Sequence, residues 1–252
     1  MDWHQQIFIY CERAGDPGFW AEPLNAASNA AFLFAAALAL AAWLRQPQRG
    51  VVECALVALV GAIGVGSFLF HTLATRWAAL ADTLPITAFM LIYLGYALVR
   101  FVGLPRLLGG VLVAAFMLVL QAADAVRCSG GPCLNGSLGY VPALIALGLV
   151  GVVLRWRGDA AAPALLWGAL IFAISLTFRT VDRMVCPWTA ITGGAVGTHF
   201  VWHLMNALLL HMLVMAAIRH GQRRRAVRAG QAIAPTEGGA HKDEWSRTWW
   251  NR

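Results

Sequence analysis

Seven apolar runs, most of them close to twenty residues long, constrain this chain more than any other feature. They fall near residues 23 to 44, 51 to 71, 79 to 99, 107 to 123, 140 to 156, 163 to 181 and 197 to 218, separated by short turns marked by arginine, glycine or proline. A helix needs about 20 mostly apolar residues to cross a hydrocarbon core of roughly 30 Å. Lipid offers no partner to a free backbone N–H or C=O, so the runs are expected to be helices. The composition agrees: 60% of the 252 residues are hydrophobic and 12% charged, too apolar for a soluble domain. The fold class read from this is all-α, an integral membrane protein with seven transmembrane helices and no internal repeat. Residues 1–22 form an amino-terminal segment, 23–218 the helical domain, and 219–252 a basic tail.

Cytoplasmic loops collect Lys and Arg, so the cations set the orientation. Arg45 and Arg49, Arg100 and Arg106, Arg155 and Arg157, and the eight tail cations Arg219, Arg223, Arg224, Arg225, Arg228, Lys242, Arg247 and Arg252 share one side, 14 of the 19 Lys and Arg residues. The other side holds Arg13, Arg76, Arg127, Arg179 and Arg183. The amino terminus is therefore expected outside and the carboxyl terminus in the cytoplasm. This asymmetry also accounts for most of the net charge of +7, which needs no nucleic-acid partner and suits a tail facing anionic lipid. Met1 is followed by Asp2, Trp3 and His4 rather than a basic and then apolar run, so the first span is expected to act as its own insertion signal. The tail is expected to be mostly disordered, with a short interfacial helix around Trp245, Trp249 and Trp250 as the alternative.

The cysteines test this topology independently, because disulfides persist in an oxidising compartment. Cys11, Cys128, Cys133 and Cys186 all land in outward segments, and Cys54, at the inner start of the second span, is left over as a free thiol. Two outward disulfides are expected; the alternative is that these cysteines pack as small apolar residues. The turn Ser129-Gly130-Gly131-Pro132 can fold tightly enough to bring Cys128 to Cys133.

Against this apolar background the polar residues stand out. The second span runs outward and the seventh inward, so His71 closes one and His199 opens the other at the same membrane depth. His199 and His203 are four apart, which on a helix sets both rings on one face, one turn apart. Ser67 stands in the same relation to His71, and Asp82 sits just inside the third span, across a short outward turn from Thr72 to Ala81. Three neutral imidazoles around one open position describe a catalytic zinc site whose fourth ligand is a water with its pKa lowered to about 7. Asp82 would take the proton of that water, and Ser67 would donate a hydrogen bond to the oxyanion formed on a carbonyl.

Other readings use the same residues. A lone intramembrane histidine is commonly a satisfied core residue, yet three of them with Asp82 are costly, at about 2.5–3.5 kcal/mol for each charged group at mid-membrane on insertion scales. A retinal protein needs a lysine in the seventh span, and the only lysine is Lys242 in the tail. A bis-histidine haem protein leaves Ser67 and Asp82 without a role. A non-catalytic seven-helix lipid-binding or receptor-like membrane protein is the principal alternative. His211, two turns deeper on the seventh span, reads as structural. Asn25, Ser28 and Asn29 share one helical face and are expected to bond neighbouring helices near the site.

The stretch Gly64-Val65-Gly66-Ser67-Phe68-Leu69-Phe70-His71-Thr72, then Asp82-Thr83-Leu84-Pro85-Ile86, then His199-Phe200-Val201-Trp202-His203, resembles the alkaline ceramidase family, within a wider superfamily of seven-helix membrane hydrolases that includes the adiponectin receptors. Tyr10-Cys11-Glu12 and the run Trp20 to Asn29 resemble the same family. The resemblance implies a zinc-dependent amidohydrolase that cleaves the amide of an N-acyl sphingoid base, with His71, His199 and His203 on zinc, Asp82 handling the proton and Ser67 steadying the oxyanion. It also implies a disulfide from the amino-terminal cysteine to the loop before the last span, which fits Cys11 with Cys186.

A calcium ion near the zinc belongs to the same resemblance. Glu12 and Glu22 fall on its liganding positions, whereas Ile9 and Ala14 stand where the family has an aspartate and an asparagine. Asp16 and the Tyr10 carbonyl could make up ligands for an ion that takes about 6–8 oxygens. The alternative is that Glu12 and Glu22 pair with Arg13 or cap the first helix before Pro23. Short loops and alanine-rich spans look bacterial in style, which implies an inner membrane with the site toward the periplasm. The substrate is then a bilayer lipid, a ceramide or another N-acyl lipid. Oligomeric state is not legible.

Overall fold

The computed structural model of the chain describes residues 2–128, 131–191 and 194–228. Its helices are α1 (Pro23–Ser28), α2 (Ala30–Leu44), α3 (Val51–Leu73), α4 (Arg76–Tyr96), α5 (Arg106–Ala125), α6 (Val141–Trp156), α7 (Ala162–Val185) and α8 (His199–Arg228). Among the described residues seven spans are long and apolar enough to cross a membrane, with α1 and α2 together making the first of them, Pro23–Leu44. Two-residue strands form two small antiparallel pairs: β1 (Arg127–Cys128) with β2 (Gly131–Pro132), and β3 (Ala190–Ile191) with β4 (Gly194–Ala195). The all-α reading holds.

α8 is the most enclosed span and packs on α2, α3 and α7, while α5 is the least enclosed and presents most of its surface outward. That division suits a helix carrying the site and one facing lipid. The core runs down the bundle through Phe32, Leu56, Ile63, Phe89, Leu154, Leu165, Val214 and Ile218. At its far end the Tyr96 hydroxyl lies 2.9 Å from Glu53 Oε1 and 3.0 Å from the Ala217 carbonyl, tying α3, α4 and α8 together.

Three helix limits differ from the apolar runs, each for a local reason. α4 begins at Arg76 rather than near 79, because Thr75 caps it by accepting from the Ala78 N–H, and Ala74 takes a left-handed conformation (φ 51°) that ends α3. The turn is thus Ala74–Thr75 alone, and Asp82 lies well inside α4. α7 extends past residue 181 to Val185, since Asp182 is buried and hydrogen-bonded rather than solvated. α8 runs on to Arg228, so the first part of the expected tail is helical. The rest of that tail, with Lys242, Trp245, Trp249 and Trp250, lies outside the described residues.

Disulfides join Cys11 to Cys186 and Cys128 to Cys133, and Cys54 is free. The first bridge fastens the amino-terminal segment to the end of α7. Backbone bonds fasten it again across the α3–α4 turn, from Ile7 N–H to the Ala74 carbonyl and from Arg76 N–H to the Gln5 carbonyl.

Candidate metal centre

The site begins where α3 and α4 cross. A Cβ placed on Gly66 would run into the Ala81 carbonyl, so only glycine permits the approach. Pro85, inside α4, has no N–H to offer that carbonyl, which leaves it free to face Gly66. The residues after each contact atom, Ser67 and Asp82, are brought side by side, and the serine hydroxyl interacts with the Asp82 carboxylate.

The start of α8 is fixed by Asp182, a fully buried carboxylate that accepts from the N–H groups of Cys11, Thr198 and His199 at 2.9, 2.8 and 3.0 Å. Carboxylates suit the orphan N–H groups of a helix start. Gly197 makes room for it: its φ is +67°, and a Cβ there would strike Asp182 and Cys11. One carboxylate thus sets the position of His199 and anchors the disulfide-bonded segment.

His71, His199 and His203 meet at this end of the bundle, all of them buried. Their ring centroids lie 4.6 to 5.2 Å apart, and one nitrogen from each can be chosen so that all three lie within 4.8 Å of one another. Two rings are oriented from outside. His71 Nδ1 bonds Glu22 Oε2 at 2.5 Å. His203 Nδ1 lies 2.7 Å from Ser28 Oγ, whose own proton goes to the Asn25 carbonyl, so the imidazole is the donor. Both bonds leave an Nε2 lone pair, which is how a metal-ligating histidine is held. Tyr10 stacks on His199 at 3.6 Å between centroids.

The residues present fit a metal ion. His71 Nε2 and His199 Nδ1 are buried with no hydrogen-bond partner, a costly state for polar atoms unless a cation takes them. Asp82 Oδ1 is likewise buried and unpartnered. Ser67 Oγ is 3.5 Å from His203 Nε2. Ser67, Asp82 and the three histidines thus come together as their spacing implied. Among the described residues no other group of three or more His, Cys, Asp or Glu side chains converges in this way.

The carboxylates expected for calcium do not converge. Glu12 uses both oxygens on the N–H groups of Leu24 and Asn25 at the start of α1. Asp16 accepts from Gly18 N–H at 2.7 Å. Glu22 is divided between Arg13 and His71 and also accepts from Asn25 Nδ2. The capping and pairing alternative therefore describes these residues, and calcium does not fit them. Burial raises the Glu12 carboxyl above its ordinary range, only partly offset by the N–H groups of Asn25 and Leu24. Burial would raise Glu22 too, but hydrogen bonds from His71, Arg13 and Asn25 outweigh it and leave the carboxyl lowered. Burial also raises the Tyr10 phenol and keeps it protonated.

Several participants escape sequence reasoning. Asp182 falls where an apolar run ends and looks like a solvated loop residue. Arg179, counted from sequence only among the outward-side cations, is buried, donating to the Asn135 carbonyl and Ser137 Oγ with its guanidinium over Tyr140 and Trp202. Ser28 meets its expectation by reaching His203 from the neighbouring helix, whereas Asn25 and Asn29 bond mainly within their own segment. His211 bonds the Ala35 carbonyl at 3.2 Å and is structural, as expected.

Below the histidines an apolar cavity of about 90 Å³ opens between the helices. Phe32 and Trp202 belong to both regions, touching His203 and His199 above and lining the cavity beneath. Ile63, Phe89, Leu165 and Leu213 continue its wall. Its almost wholly apolar lining suits the hydrocarbon part of a ligand.

Comparison with known proteins follows the same line. The family model described as Ceramidase matches residues 17–235, which takes in every described helix. No curated protein matches the chain.

Proposed function

The chain belongs to the ceramidase family, and from that premise we propose that it is a membrane-embedded, zinc-dependent amidohydrolase cleaving the amide of a ceramide or a related N-acyl lipid. One observation carries the reading: three buried histidines, two of them with an unpartnered nitrogen, stand beside an unpartnered Asp82 oxygen at the head of an apolar cavity. His71, His199 and His203 would hold the ion. When bound, zinc supplies Lewis acidity and activates water as the nucleophile.

The chain's own side chains do the rest. Asp82 Oδ1, free of other bonds, takes the proton of the attacking water and returns it to the departing amine. Ser67 donates to the oxygen of the amide as charge develops on it. Glu22 and Ser28 keep the His71 and His203 rings in the tautomer that offers Nε2 inward. The cavity takes an acyl or sphingoid chain, and its apolar wall aligns the amide with the polar head of the site. With the amino terminus outside, as the cation asymmetry implies, the site faces the periplasm and its lipid never leaves the bilayer.

The test is hydrolysis of defined N-acyl lipids in detergent or nanodiscs by protein loaded with zinc. Release of free fatty acid by wild type, and its loss in Asp82→Asn, supports the reading. Hydrolysis by Asp82→Asn or Ser67→Ala at the wild-type rate would make the assigned roles wrong. Lipid extracts from cells with and without the gene identify the substrate, because the uncut N-acyl lipid accumulates.

A further inference from the structure

Among the described residues Arg13 is the largest of the fully buried side chains. A guanidinium carries five N–H donors and cannot lose its charge. Here each of the five has an acceptor: Nε donates to Glu22 Oε1 at 2.6 Å, Nη1 to the carbonyls of Asp16 and Gly18 at 3.0 and 2.9 Å, and Nη2 to those of His71 and Thr72 at 2.8 and 3.3 Å. One carboxylate and four backbone carbonyls drawn from three segments form the kind of oxygen shell a hard cation takes. The shell is spent on a side chain.

The position of that shell gives it a consequence for the metal centre. Two acceptors come from the last turn of α3, one being the carbonyl of His71 itself, and the other two from the loop before α1. The Glu22 carboxylate has one oxygen on Arg13 and the other on His71 Nδ1. Arg13 therefore fixes the carboxylate that fixes the imidazole. Of the residues expected to bind calcium nearby, Glu12 and Asp16 are committed elsewhere and Glu22 is shared by Arg13 and His71, while Ile9 and Ala14, at two further family positions, have no ligand atom on the side chain.

We propose that Arg13 is a resident cation that stands in for the calcium ion the family resemblance implies beside the zinc, so that the metal centre of this chain is assembled without calcium. Arg13 is a positioning residue: it acts on His71 through Glu22 and joins the amino-terminal segment to α1 and α3. Its charge is permanent, so the centre does not respond to calcium outside the cell. The zinc arm of the test rests on the proposed function; the calcium arm does not, and neither needs turnover.

The experiment begins with wild-type protein purified without added calcium. The expected result is no bound calcium by elemental analysis, no heat of binding, and no change in thermal midpoint up to about 1 mM calcium, the weak end of protein calcium sites. Stoichiometric calcium, or a midpoint that rises with calcium, overturns the proposal. Arg13→Ala is expected to lower zinc affinity about 10–100-fold, the usual effect of losing a group that orients a ligand. Arg13→Lys, which keeps the charge but cannot reach every acceptor, should fall between it and wild type. Wild-type zinc affinity in both variants overturns the positioning role. In a third variant, Ile9→Asp with Arg13→Ala and Ala14→Asn, the emptied shell should accept calcium and zinc affinity should recover as calcium is added. Should the variants not fold, the wild-type titration still decides whether calcium is used.

Discussion

Two buried clusters lie side by side at the amino-terminal end of this bundle, joined through Glu22, and they are completed in opposite ways. Around Arg13 every donor has an acceptor, and the cation is part of the chain. Around His71, His199 and His203 the outer nitrogens of two rings are satisfied, but His71 Nε2, His199 Nδ1 and the adjoining Asp82 Oδ1 are not. The first cluster is finished by folding; the second keeps buried atoms unpartnered, and in the proposed function a cation completes it. The contrast teaches that unpartnered buried atoms mark a candidate metal site more sharply than a count of acidic residues does. Glu12, Asp16 and Glu22 are close in sequence and look like ligands, yet each already has its partners.

Changes in the histidine cluster should have the largest effect. His203→Ala or His71→Ala is expected to abolish amide hydrolysis while the helical content by circular dichroism stays near wild type; sustained turnover would break the contrast between the clusters. Asp82→Asn should retain zinc and lower kcat by about 10²–10⁴-fold, the range for losing a general base. Ser67→Ala should lower kcat by about 10²-fold with little change in KM, as for an oxyanion donor. A loss confined to KM would instead make Ser67 a ground-state contact.

The smallest expected effect is a pH dependence at the edge of the second cluster. Glu12 has its carboxyl raised above the ordinary 4.5, chiefly by burial. The folded chain therefore holds that proton more tightly than the unfolded chain does. This contribution to stability is complete below the unfolded value and is lost as pH rises through the raised one. The wild-type thermal midpoint should fall slightly over the interval just above pH 4.5, and Glu12→Gln should remove that step. A step that persists in Glu12→Gln belongs to another group.

Much of this was legible because hydrophobicity and helical spacing are local. The seven spans follow from run length alone, and the i, i+4 pair His199 and His203 needs only a helix to share a face. The free Cys54 and the two disulfides match the cysteine pattern expected from the sequence. What sequence could not supply comes from contacts between distant segments. That Asp182 caps α8, and that Arg13 lies under the last turn of α3, depends on how loops return to the bundle, and neither residue carries a periodic signal. Arg179 is alike: its position near the end of the sixth run sorts it with the outward cations but says nothing of its packing against Tyr140 and Trp202.

Metal analysis tests the central claim most directly. Wild-type protein should carry one zinc per chain, and the double variant His199→Ala with His203→Ala should carry none while remaining folded. Wild type without stoichiometric zinc, or a double variant that retains it in full, would contradict the account.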